Sequence, residues 1–197
     1  MLNKSIIFIF VLSSIVLYGC ASPETAKFNQ GVKRINEIDD EFGSTMKTPP
    51  NSLKKIDGLL VQLTGFSAVN DDMTLSLKYL IDFKIKSLEA EKLHTEGWQW
   101  GRGSTTDWGF GCKKGSAHVL NSSKIRNASA QKGFESLESL RLLVNQFPKE
   151  AESVNLTQKD VLILQASYQQ VEEKAARDAK TIKSVCKEQI KELNITI

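Results

Sequence analysis

The chain predicts an all-α protein, an antiparallel bundle of about five to six helices, and three observations carry that expectation. Apolar residues recur at three- and four-residue steps through most of the sequence, as in Phe28, Val32, Ile35, Ile38 and Phe42. Period-two alternation between hairpin turns, the mark of strands, is absent. Helix punctuation falls between the apolar runs: Ser22-Pro23, Gly43, Pro49-Pro50, Pro148 and the Thr157…Asp160 pair.

The first helix starts at Ser22, with Pro23 at the first helical position and Glu24 in the first turn, an arrangement that caps a helix and suits its dipole. Gly43 and the proline pair end it. A second helix is expected from about Ser52 to Thr64, with Leu53, Ile56, Leu59, Leu60 and Leu63 inward and Gly65 as its stop. A third opens at Asn70 or Asp71 and carries Leu77, Leu80, Ile81, Ile85, Leu88 and Leu93 to about His94, making an antiparallel hairpin with the second.

A long glycine- and tryptophan-rich loop is expected over 95–117. Beyond it, a short helix around Ala117 to Arg126 leads into another with Phe134, Leu137, Leu140, Val144 and Phe147 inward, ended by Pro148. Thr157 and Asp160 form a capping box for a last helix to about Leu193, whose inward residues run from Val161 through Leu164, Tyr168, Val171, Ala175, Ile182 and Val185. At 1.5 Å per residue it would run roughly 54 Å, so it either overhangs or breaks near Ala175 to Lys180. A TPR-like array of helix pairs is the alternative architecture, although no second copy recurs at a period of about 34 residues.

The N-terminus carries the most specific signal. Lys4 is followed by an apolar run from Ile6 to Tyr18, shorter than the about 20 residues of a spanning helix, and then by Leu17-Tyr18-Gly19-Cys20. This segment resembles the signal peptide and lipobox of prokaryotic lipoproteins. The resemblance covers residues 1–20 and implies removal of 1–19, a thioether-linked lipid on Cys20, and a single extracytoplasmic domain over 20–197. It also implies a location on the cell membrane or outer membrane, lipid-anchored on its extracytoplasmic face. Because the first helix begins two residues after Cys20, the tether is short, roughly 10 Å when extended.

Lipidation would consume one of the three cysteines. In an exported chain, the remaining Cys112 and Cys186 are then expected to pair in a disulfide, the alternative being two buried free thiols. Neither belongs to a C-x-x-C pair, so no metal site is expected from them. With Lys4 gone, 25 basic residues face 23 acidic ones, a net charge of +2, and no sustained basic run exists to suggest nucleic acid.

Between Gly97 and Gly115 lie all three tryptophans and six of the twelve glycines. Trp98, Trp100, Trp108 and Phe110 are candidates for stacking on a ligand or partner, with Arg102 and Asp107 for polar orientation; the alternatives are a loop stapled to the core and tryptophans resting at the membrane interface. Asn121, Asn127, Asn155 and Asn194 each begin an N-x-S/T sequon, a possible N-glycosylation site in a suitable host and otherwise a cap or polar residue. His94 and His118, the only histidines, flank the loop and would need to converge with Glu96 or Asp107 to serve catalysis. No G-x-S-x-G, H-E-x-x-H or Walker sequence is present, and no cofactor is expected.

These features point to a membrane-anchored binding or scaffold module of the cell envelope, with an envelope protein or glycan as partner. The alternatives are a small hydrolase-like envelope enzyme sited near the tryptophans, and a purely structural envelope component.

Overall fold

The computed structural model describes residues 22–107 and 112–188, with the backbone alone over 102–107 and 113–114. Among the described residues the chain is all-α: α1 (Pro23–Phe42), α2 (Leu53–Val69), α3 (Leu75–Asp107), α4 (Cys112–Gln146), α5 (Pro148–Ser153) and α6 (Gln158–Val185). None of these helices is long and apolar enough to cross a membrane.

The first helix begins and ends as its sequence predicts. Ser22 accepts a hydrogen bond from the Thr25 amide, and Gly43 closes the helix in the left-handed region at φ 65°, where a residue without Cβ is unstrained. Ser52 likewise caps α2 through the Lys55 amide. Gly65 does not stop α2, which continues to Val69. A glycine inside a helix costs only about 1 kcal/mol, and Phe66 beyond it packs against the core.

The third helix opens later than expected, at Leu75, after a turn in which Thr74 Oγ1 accepts a hydrogen bond from the Leu77 amide. The larger correction lies at its other end. Among the described residues the 95–117 segment is helical rather than a long loop: α3 continues through Gly97 and Gly101 to Asp107, and α4 begins at Cys112. The separate helix expected over 117–126 is part of the 35-residue α4.

Small residues explain this continuation. Ser122 Oγ donates to the Gly97 carbonyl at 2.8 Å and Ser129 Oγ to the Ala90 carbonyl at 2.7 Å. Both contacts belong to one antiparallel register, seven residues apart on each helix. A Cβ on Gly97 would stand 2.7 Å from Arg126 Cγ, so any larger residue there must displace the Arg126 stem. Glycine's poor helix propensity is offset by that packing.

Against this hairpin, α6 lies along α4, with the Tyr168 ring seated on Gly133. The last helix is continuous across 175–180, about 42 Å long at 1.5 Å per residue, and is capped at Cys186. Thr157 and Asp160 form the expected capping box. The short α5, opened by Pro148, was not anticipated; proline ends α4 and then occupies the first turn of the next helix, where its missing N–H costs nothing. Helices of such unequal length, from 6 to 35 residues, do not form a repeat array.

The first two helices cover only the half of the hairpin nearer Leu75. There Phe28, Ile35, Leu59, Leu80, Leu137 and Leu140 are buried in one core. Leu77 packs over Gly31 and Lys27 pairs with Asp72 at 2.5 Å, so the start of α1 lies beside the start of α3. The other half is a three-helix region of α3, α4 and α6. A small second cluster around Ile182 and Cys186 packs there on Val119 and Leu120, and the Cys112–Cys186 disulfide joins α4 to α6, with Cα atoms 5.4 Å apart.

Candidate functional site

The three-helix half presents the tryptophans. Trp98 is 45% exposed and Trp100 43%. Two residues turn about 200° around a helix, so the two rings leave α3 on different sides. Trp98 faces α6: its Nε1 donates to His94 Nε2 at 2.9 Å, and Lys174 Nζ sits 5.0 Å from its ring centroid. That placement is a cation–π contact. Trp100 faces α4, with the His118 ring 5.4 Å away, centroid to centroid.

Below Trp98 the three helices leave a cavity of about 270 Å3, walled by Val119 and Ile182 and carrying Arg126, Lys174 and Asp178. Arg126 is 6% exposed and lies over Gly97. Its Nη2 bonds Asp178 Oδ2 at 2.5 Å, while its buried Nε has no hydrogen-bond partner. One aromatic face, two cations and one carboxylate thus share a concave surface with apolar walls, the composition of a recognition site. Burial, followed by the charges of Arg126 and Lys174, holds His94 below the ordinary imidazole range. Neutral His94 is the form that accepts from Trp98.

The histidines do not converge. His94 belongs with Trp98, whereas His118 lies with Trp100, Glu96 and Gln99 in a separate surface depression. Among the described residues no three His, Cys, Asp or Glu side chains are grouped to hold a metal ion. The remaining candidates distribute as follows. Cys20, Trp108, Phe110 and Asn194 lie outside the described residues, as do the side chains of Arg102 and Asp107. Asn121 and Asn127 lie within α4, and the hydroxyl residues of their sequons, Ser123 and Ser129, are buried against the bundle. Asn155 is exposed at φ 58° in the turn before α6.

Sequence reasoning missed Arg126, Lys174 and Asp178. The signal was present but indirect: Lys174 and Asp178 sit one turn apart on the border of the apolar stripe marked by Ala175 and Ile182. Only the helix order in space brings Arg126 to them. Comparison with protein-family models, with curated proteins and with solved structures gives no match.

Proposed function

We propose that the chain is a lipid-anchored, extracytoplasmic binding module that presents its tryptophan-bearing end to a partner in the cell envelope. The observation that carries this reading is the position of Trp98. It stands 23 residues beyond Leu75, about 35 Å along α3, while the chain enters the fold at Ser22, beside the start of that helix. A lipid on Cys20 would therefore hold one end of the bundle at the bilayer. The exposed indoles and the Arg126 cavity would stand at the other. This supports a protein or glycan partner over tryptophans resting at the membrane interface.

The hydrolase-like alternative draws no support from His94 and His118, since His94 on α3 lies with Trp98 and His118 on α4 lies with Trp100. Two experiments test the proposal. Replacing Cys20 by serine is expected to release the protein from the membrane fraction; retention there would remove the lipid anchor. Crosslinking the parent protein in its own membrane and identifying what is captured tests the partner. Capture is expected to be lost in Trp98→Ala/Trp100→Ala, and capture unchanged by that pair would favour a purely structural component.

A further inference from the structure

A second cavity, of about 340 Å3, lies lower on α3, between the 45–49 loop and the first half of α6. Phe83, Leu88, Leu156, Leu164 and Tyr168 supply its apolar wall. Beside them on one face of α3, four residues apart, stand Ser87 and Glu91. The Ser87 Oγ is buried with no hydrogen-bond partner. The Glu91 carboxyl makes one described polar contact, a 3.4 Å bond from Thr95 Oγ1, and burial pushes it above the usual carboxylate range.

Other charges at the cavity are already matched. Lys84 donates to Asp39 Oδ2 at 2.7 Å and to the Thr45 carbonyl, which pins the loop to α3. Lys47 pairs with Asp160 at 2.7 Å across the mouth. These paired groups bound the cavity, and the chemistry they leave to a guest is the unpartnered Ser87 hydroxyl and the half-buried Glu91 carboxyl beside hydrocarbon. A buried hydroxyl left without a partner is costly, so Ser87 favours a guest that satisfies it, and Glu91 keeps acceptor capacity beyond its one bond from Thr95.

We propose that this cavity binds a small uncharged amphiphile, an apolar tail with an alcohol or amide head that pairs with Ser87 and Glu91. The Ser87 hydroxyl donates to the head oxygen, and the head O–H or N–H donates to the Glu91 carboxyl. The tail lies against Phe83, Leu88 and Leu164. A volume of about 340 Å3 holds about ten non-hydrogen atoms at roughly 30 Å3 each, which suits a medium-chain molecule. The site is independent of the tryptophan-bearing end.

The test uses the full-length protein in its own membrane and an eight-carbon alcohol bearing a photoreactive diazirine, with labelled peptides identified by mass spectrometry. Labelling is expected in the peptides spanning 83–91 and 160–168, removed by excess 1-octanol and abolished by the cavity-filling Leu164→Trp. Ser87→Ala is expected to raise the 1-octanol concentration needed for half-competition by about threefold to tenfold, the range of a lost hydrogen bond. Labelling confined to other segments, or octylammonium competing better than 1-octanol, would overturn the proposal. Should Leu164→Trp fail to fold, Ser87→Ala decides alone, and unchanged competition there counts against it.

Discussion

Lys84 Nζ lies 2.7 Å from Asp39 Oδ2 with both side chains buried, 3% and 2% exposed. This pair joins α1 to α3, and through the Thr45 carbonyl it also fixes the loop after Gly43. Burial raises the Asp39 pKa and lowers that of Lys84 despite their mutual attraction, and Asp39 Oδ1 has no hydrogen-bond partner. Both charged forms are therefore held against a desolvation cost. Lys84→Met should lose about 3–5 kcal/mol, because it strands a buried carboxylate. The double variant Asp39→Leu/Lys84→Met should lose less than that single change. Urea denaturation of the three proteins checks it; a double-variant loss equal to or larger than that of Lys84→Met would contradict the pairing.

Two glycines give opposite expectations. A Cβ at Gly97 would meet Arg126 Cγ at 2.7 Å and the Ser122 carbonyl at 3.4 Å, whereas a Cβ at Gly65 meets nothing within 4 Å. Gly65→Ala should stabilise by about 0.5–1 kcal/mol through helix propensity. Gly97→Ala gains the same propensity but forces the buried Arg126 stem aside, and overpacking of about 1–3 kcal/mol should prevail. Thermal unfolding of both variants distinguishes these signs.

Protonation of His94 should release Trp98. The His94 pKa is lowered, chiefly by burial and then by Arg126 on α4 and Lys174 on α6. As pH falls from 6.5 towards the lower folded value, the unfolded chain takes up the proton first, so this residue's contribution to stability declines across that window. An NMR titration should place the His94 ring midpoint below 6.5, with the Trp98 indole N–H resonance moving together with it. A midpoint above 6.5 would refute the arrangement.

The disulfide ties the end of α6 to the start of α4 across a sequence separation of 74. Closing such a loop contributes about 4.5 kcal/mol in the chain-entropy model. Few apolar side chains hold this stretch of α6 otherwise; Ala175, Ile182 and Cys186 are its buried residues. Reduction should therefore raise amide hydrogen exchange over 174–186 while leaving 28–63 protected. Uniform loosening of the whole bundle would show instead that the two halves unfold together.

Much of the fold was legible because its signals are local. Ser22-Pro23, Gly43 and the Thr157…Asp160 box act within one helical turn, and each does in the structure what its sequence predicts. The tryptophan-bearing end was misread for a physical reason. Glycines at 97 and 101 and serines at 122 and 129 look like loop residues one at a time. They are helical because each small residue meets another across the α3–α4 contact, at a separation of 25 residues for Gly97 and Ser122. The Arg126 cavity depends on three helices meeting, and no spacing within a single element announces it.

In the proposed function, the bundle is tethered at one end and recognises a partner at the other. The most direct test places a photoreactive amino acid at position 100, and in a second protein at position 72 beside the start of α1, and irradiates each in the native membrane. Position 100 should yield a discrete protein or glycan adduct, and position 72 lipid. Lipid adducts at both positions, or a partner adduct at position 72 alone, would contradict the account.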